Sequence, residues 1–347
     1  MTPTPDRTSR SPLDRRAFLK TVGAAGAAGT LGLAVPGRAR AQAPEITLRF
    51  ASLYPPAHSA SKTATRFAEL VAAGTGGKVK VDVFHNAALG SEREAAEGVR
   101  SGSIDMAYSG LTGFGSYVPE FGVLEMPFLY DSLDQVKSVS DKISPALEAR
   151  MAANGLALLG YLYDGPRVTL ASRALHSIDD FKGLKLRVPQ IPLYVQMVQA
   201  FGATPTPVAL PEVYTALQSK IVEGLEGTPT SLYVQKYHEV ARHLARTDHI
   251  FFVAYIAMNA PLLAKLPRGQ QDAIRAAGRD ASAYNLAIAK PAVQEDFARL
   301  TAAGVKVTTP DRAPFRAAVS AMKERYAAGL GQRGLEIYNA VNAVTRG

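Results

Sequence analysis

The 347-residue chain contains no cysteine. A disulfide scaffold, a thiol nucleophile and a cysteine-based zinc site are therefore excluded, while the compartment is left open. Short catalytic signatures are missing as well. There is no G-x-S-x-G, no H-E-x-x-H and no G-x-x-x-x-G-K-[ST]; Gly74–Lys78 fails the last pattern because Ala72 stands where it needs glycine. The six histidines form no H-x-x-x-H pair, and His238 and His243 are too far apart round a helix to share a metal easily. No basic run is interleaved with aromatics, which argues against a nucleic-acid partner.

What is present is an ordinary globular composition, 47% hydrophobic and 20% charged, long enough for two α/β lobes. The formal charge is +9. Residues 1–41 hold seven basic side chains against Asp6 and Asp14, so +5 of the +9 sits at the N-terminus. There Leu13-Asp14-Arg15-Arg16-Ala17-Phe18-Leu19-Lys20 precedes an apolar stretch, Thr21–Val35, and then Ala39-Arg40-Ala41. This is the order of a cleaved signal peptide. The arginine pair followed by x-Phe-Leu-Lys resembles the twin-arginine class. The apolar stretch falls short of the ~20 residues that span a bilayer, and no later one is longer. The expectation is cleavage after Ala41, a mature chain that does not span a membrane, and a periplasmic location.

The mature part alternates strand and helix patterns. Ile46–Leu53 and Lys78–Phe84 alternate as strands; Ser59–Ala73 and Ser91–Ser101 have helical spacing; Ile104–Ser109 reads as a strand. This rhythm argues for a parallel sheet with helices on its faces. Further strands are expected at Leu156–Tyr163, Val168–Ser172, Leu184–Val188 and Ile250–Asn259. Helices are expected at Leu193–Phe201 and Pro211–Ser219. A very long helical stretch, Arg268 to about Gly304, is interrupted only at Pro291.

Between Tyr163 and Ile250 come Asp164-Gly165-Pro166-Arg167, then Gly183-Leu184-Lys185-Leu186-Arg187-Val188-Pro189. Phe201-Gly202-Ala203-Thr204-Pro205 and Val222-Glu223-Gly224-Leu225-Glu226 follow. Upstream lie Leu89-Gly90-Ser91-Glu92, Gly102-Ser103-Ile104-Asp105-Met106-Ala107 and Leu124-Glu125-Met126-Pro127-Phe128-Leu129. This ordered set, across residues 45–347, resembles the substrate-binding subunits of tripartite ATP-independent periplasmic (TRAP) transporters, the DctP-type family. The resemblance implies a two-lobed periplasmic binding-protein fold of α/β class with a central cleft, hinge strands and a long helix spanning both lobes. Lobe I is expected at 45–164 plus 253–290, and lobe II at 165–252 plus 291–347. It further implies a small carboxylate ligand, no catalysis and no cofactor or metal. The partners would be a small and a large integral-membrane subunit. A binding protein for an ABC transporter or a sensor kinase, or an exported α/β enzyme, is the rival reading.

The same resemblance points to Arg187 as the group that grips the carboxylate. The guanidinium fork matches a carboxylate with two parallel, charge-assisted hydrogen bonds. Strand alternation puts Leu184, Leu186 and Val188 on one face and Arg187 on the other. Arg167 is expected to support the carboxylate, or else to make a hinge salt bridge with Asp164 or another acid. Gly227 stands where sialic-acid-binding members have asparagine, and Leu210 where an aromatic is common. Gly110 and Gly113 replace charged groups that serve the sugar tail. A long polyhydroxylated acid would leave its hydroxyls unpaired, at ~1–3 kcal/mol each, so a smaller or more apolar acid is expected. Glu92, Tyr54 and Tyr108 are expected to line the cleft, with His58 as a further candidate.

Overall fold

A computed structural model describes residues 43–345; the signal-like segment 1–41 lies outside them. The N-terminal part runs β1 (Ile46–Ala51), α1 (Ser59–Gly74), β2 (Val79–Phe84), α2 (Glu92–Ser101), β3 (Met106–Ser109), α3 (Leu111–Phe114) and α4 (Leu133–Ala153). The long strand β4 (Leu156–Ala171) then leads to β5 (Lys185–Val188), α5 (Pro192–Ala200), β6 (Thr204–Pro207), α6 (Val213–Gln218), β7 (Gly224–Gly227) and α7 (Pro229–Val234). The chain returns by β8 (His243–Asn259), α8 (Ala260–Lys265) and α9 (Arg268–Ala302), and closes with β9 (Lys306–Thr308), α10 (Ala313–Gly329) and α11 (Gly331–Thr345).

All nine strands share one sheet, in the order β2-β1-β3-β8-β4-β7-β5-β6, with β9 against β8. Its flanks are parallel: β1 with β2 and β3, and β5 with β6 and β7. The centre is antiparallel, because β4 runs out of the first flank and β8 runs back. The sheet is thus mixed, not the purely parallel one that the strand–helix rhythm suggests. Rhythm reports local crossovers and is blind to the two strands that join the halves.

Those strands are where the sequence pattern and the fold differ most. Asp164-Gly165-Pro166-Arg167 reads as a break, yet β4 is continuous over 16 residues. The register shifts by bulges at Leu158/Gly160, Tyr163/Gly165 and Arg167/Thr169, and bulges are where strands accept glycine and proline. The long helix α9 lies across the bulged strand. Its Ser282 Oγ accepts from Tyr161 N at 2.8 Å, and its Asn285 Oδ1 accepts from Tyr163 N at 2.6 Å. The helix comes this close because two glycines face each other. A Cβ on Gly278 would fall 2.2 Å from the Leu159 carbonyl oxygen, and one on Gly160 would fall 2.5 Å from that of Gly278.

α9 runs 35 residues with Pro291 inside it, about 50 Å at 1.5 Å per residue. Its buried positions, from Ile274 through Ala281 and Val293 to Leu300, recur every three or four residues. α4, by contrast, is not picked out by sequence periodicity. Pro145 and the polar residues around it blur a face made by Val136, Val139, Ile143, Leu147 and Met151. One apolar cluster packs around α1 and the first half of α9. Another lies under α6, α7 and the second half of α9. The largest covers the other side of the sheet.

Candidate functional site

β5 is a short parallel strand between β7 and β6. Leu186 and Val188 are buried in the core, and Arg187 between them points the other way. Arg187 is only 4% exposed. Its Nε and Nη2 donate to one oxygen, the carbonyl of Val208, at 3.0 and 2.8 Å. Among the described residues no carboxylate lies within ion-pair distance of it. Burial lowers its pKa; Glu226 and Tyr237 act in the opposite direction, and Arg167 adds to the lowering. An arginine stays charged even so. Arg187 is therefore a buried cation held by a backbone carbonyl, with no carboxylate of the described residues to answer it.

Arg167, on β4, has a different situation. Glu226, on the adjacent strand β7, takes it in a two-pronged pair: Nε to Oε2, and Nη2 to Oε1 at 2.8 Å. Burial works against the arginine's charge, but Glu226 outweighs it and the pKa is raised. Burial likewise pushes Glu226 up, yet Arg167 and His249 pull it down to about 2. His249 Nε2 is 3.4 Å from Glu226 Oε2, and its Nδ1 is 2.8 Å from Thr247 Oγ1. The guanidinium of Arg167 lies between the rings of Tyr194 and Phe252, at 5.2 and 5.1 Å. Of the partners expected for a salt bridge of Arg167, Asp164 or another acid, it is another acid, Glu226, that makes it. Asp164 instead accepts from Ser59 Oγ at 2.8 Å and from Thr228 Oγ1 at 2.6 Å. These hydroxyls belong to the first turn of α1 and the N-cap of α7.

The opposite wall is built at the N-termini of α2 and α3. Ser91 and Glu94 form a capping box that fixes the start of α2. Glu92 Oε1 there accepts from Ser109 Oγ at 2.7 Å and from Gly110 N at 3.0 Å. The next amide, Leu111 N, donates to Glu125 Oε1 at 3.0 Å. Glu125 is fully buried, and burial raises its pKa to about 7. Its other oxygen accepts from Tyr194 Oη at 2.7 Å.

Tyr54, Glu92, Tyr108, Gly110 and Phe252 line one small cavity of about 10 Å³. Leu210 lines a wider one of about 240 Å³, with Leu53, Asn86, Tyr214 and Tyr237. Leu53 belongs to both. Tyr108 is a structural hub, since its hydroxyl accepts from Leu53 N and Tyr54 N. Tyr54 stacks on His58 at 3.8 Å. Gly227 ends β7, and a Cβ there would meet only Leu232, at 3.4 Å. Gly113 is set by packing inside α3: a Cβ would fall 2.2 Å from Ser109 Oγ. Its lack of a side chain therefore says nothing about a ligand tail. Among the described residues no group of His, Asp and Glu side chains is placed to hold a metal ion.

Sequence reasoning missed Glu125, Tyr194, Glu226, His249 and Phe252 as parts of this region. Glu226 carried the clearest signal: it is a charge flanked by Leu225 and Gly227 in an otherwise apolar strand. The others are brought in from distant elements.

Two α/β halves that share crossing strands and a long helix, with one buried arginine, Arg187, that no carboxylate of the described residues pairs, have the form of a binding protein. The family model described as "Bacterial extracellular solute-binding protein, family 7" (DctP) matches residues 50–329, and the chain belongs to that family of solute-binding proteins, not of enzymes. It is 34% identical over 273 residues to a solute-binding protein of Verminephrobacter eiseniae, covering 78% of this chain and 82% of that one. Among solved structures, the sugar acid binding protein DctPAm from Advenella mimigardefordensis, in complex with galactonate, matches with a TM-score of 0.83. It has 27% identity and covers 87% of this chain and 100% of that one. A TRAP periplasmic solute-binding protein from Bordetella bronchispeptica, with density assigned to pantoate, matches with a TM-score of 0.81 and 30% identity. It covers 85% of this chain and 98% of that one. Among the described residues no helix is long and apolar enough to cross a membrane.

Proposed function

We propose that this chain captures a small organic acid between its two halves, holds the carboxylate on Arg187, and hands it to the membrane subunits of a TRAP transporter. The observation that carries this reading is the charge count at the cleft. Arg167 is matched by Glu226, whereas Arg187 is a buried cation whose acceptor among the described residues is the Val208 carbonyl. Burying a charge is costly unless a partner offsets it, and an incoming carboxylate supplies that partner. The relatives hold acids of this kind, galactonate in one and pantoate in another. The lobes are taken as 45–164 plus 253–290 and 165–252 plus 291–347. Contacts from both would favour the closed arrangement by the ligand's greater affinity for it. Residues 1–41 would direct export by the twin-arginine route and be removed, leaving the protein in the periplasm.

Glu92, Gly110, Tyr54 and Tyr108 would contribute the first lobe's wall, and Leu210 and Gly227 the second's, with Arg167 held by Glu226 behind the carboxylate. Isothermal titration with carboxylates of the relatives' classes tests the central claim. Arg187→Ala is expected to abolish binding, a loss of about 3–5 kcal/mol. Arg187→Lys is expected to fail also, because an ammonium lacks the planar fork. Affinity near that of the wild type in Arg187→Ala would exclude the assigned role.

A further inference from the structure

His58 is fully buried, and its ring makes a different contact on each side. Its backbone is extended and its Nδ1 accepts from Ala60 N at 3.2 Å, which makes it the N-cap of α1. A nitrogen that accepts from an amide presents a lone pair, not a proton. Burial lowers the pKa of the ring; Asp164 and Asp296 act against burial and Lys62 acts with it. A neutral imidazole whose Nδ1 accepts carries its proton on Nε2.

That proton faces the other half. Nε2 lies 3.1 Å from Ser231 Oγ, in the first turn of α7, and 3.6 Å from Asp164 Oδ2. The hydroxyl it meets is itself held. Ser231 Oγ is 3.1 Å from Oγ1 of Thr228, the N-cap of α7, and Thr228 Oγ1 donates to Asp164 Oδ2 at 2.6 Å. Asp164 Oδ1 accepts from Ser59 Oγ at 2.8 Å, which brings the chain of contacts back to α1. All five side chains are buried, so a broken link leaves a polar group without its partner.

Both ends of this link lead to the cleft. The face of the His58 ring stacks on Tyr54, at 3.8 Å and 6° between planes, and Tyr54 lines the small cavity with Glu92 and Gly110. Thr228 directly follows β7. In β7, Glu226 pairs with Arg167, and Leu225 lies opposite Arg187 of β5. Drawing α7 away from α1 breaks the His58–Ser231 bond and parts the Tyr54 wall from the strand beside Arg187.

We infer that His58, with its proton on Nε2, is a positioning residue for ligand capture: it latches the start of α1 to the start of α7 and so holds the two walls of the cleft together. This deepens the capture reading and rests on it. The test compares the wild type with His58→Asn, Ser231→Ala and the two combined. Asparagine is a good N-cap but is too short to reach Ser231; Ser231→Ala removes the acceptor and leaves the α1 cap intact. The chain has no cysteine, so Ala73→Cys on α1 and Ser219→Cys after α6, both exposed, take a pair of spin labels. Without ligand, the wild type is expected to show one short distance between the labels, and each variant a second, longer population. The combined variant should go no further than either alone, because both remove the same bond. With galactonate and pantoate as probes, stopped-flow dissociation should be about tenfold faster in each variant. The ¹⁵N spectrum of the histidines should show His58, identified by its loss in His58→Asn, as the Nε2–H form. Thermal midpoints check folding; should His58→Asn fold poorly, Ser231→Ala decides. The inference is overturned if folded variants keep the wild-type distance, if the probes leave them no faster, or if Nδ1 carries the proton. Arg187→Ala is expected to lose the probes and keep the short distance. Retained binding there marks failure of the carboxylate reading itself, a result distinct from an unchanged distance in the latch variants.

Discussion

Arg167 and Arg187 lie on neighbouring parts of one sheet, both buried, and differ in what answers their charge. Arg167 has a carboxylate in two-pronged contact; Arg187 has a carbonyl. Removing the carboxylate of Glu226 should therefore strand a buried guanidinium. Glu226→Gln is expected to destabilise the protein by about 3–5 kcal/mol near neutral pH, as measured by urea unfolding. The pH sign follows from its low pKa. A carboxylate held at about 2 instead of 4.5 contributes stability that is complete above 4.5 and is lost as pH falls through 2. The gap between wild type and variant should narrow over that range. Arg187 was legible from its motif and its strand alternation. The assignment of Arg167 to Glu226 was not, because strand pairing between residues 59 apart decides it.

At the level of elements, the three that cross between the halves carry the geometry. β4, β8 and α9 are matched in length, roughly 50 Å each. The helix supplies acceptors for the Tyr161 and Tyr163 amides, on the stretch of β4 that its neighbour β7, paired only with Val168–Ala171, does not reach. Gly278 permits this contact, so Gly278→Val drives two methyl groups against the Leu159 carbonyl. The expected loss is about 1–3 kcal/mol or more in chemical unfolding. An exposed glycine such as Gly269, with nothing within 4 Å of an added Cβ, should tolerate alanine. Periodicity located β1, β2, β3 and β5 and α1, α2, α5 and α9 within about two residues, but it passed over β6, β7 and β9 and caught only the last ten residues of β8. It split β4 at Gly165-Pro166, and it passed over α4. Bulges and tertiary packing override the local preference of glycine and proline, and neither is visible in a single strand's sequence.

Across the whole molecule, hydrogen bonds bridge the two halves. Asp164 joins Ser59 to Thr228, His58 Nε2 lies 3.1 Å from Ser231 Oγ, and Glu125 accepts from Tyr194 Oη. Glu125 gives the molecule a pH response. Burial raises its pKa from 4.5 to about 7, with Tyr194, the Leu111 amide and Arg167 acting against burial and Glu92 with it. A carboxyl raised in the folded state contributes stability that is full below 4.5 and lost as pH rises through 7. Relative to Glu125→Gln, the wild type is therefore expected to lose about 3 kcal/mol between pH 4 and pH 8. Paired urea titrations check this. The histidines His58 and His249, lowered by burial, act with the opposite sign in both proteins and cancel in the difference. The sequence by itself determined the family, the alternation of strand and helix, and the arginine proposed to meet a carboxylate, because each is written in local spacing and in an ordered motif. Only the tertiary structure decided which buried arginine is paired with a carboxylate and which is held by a carbonyl alone, and that Phe252 rests on Gly110. Those facts depend on contacts between strands far apart in the chain, whose register is set by the bulges and the long helix together.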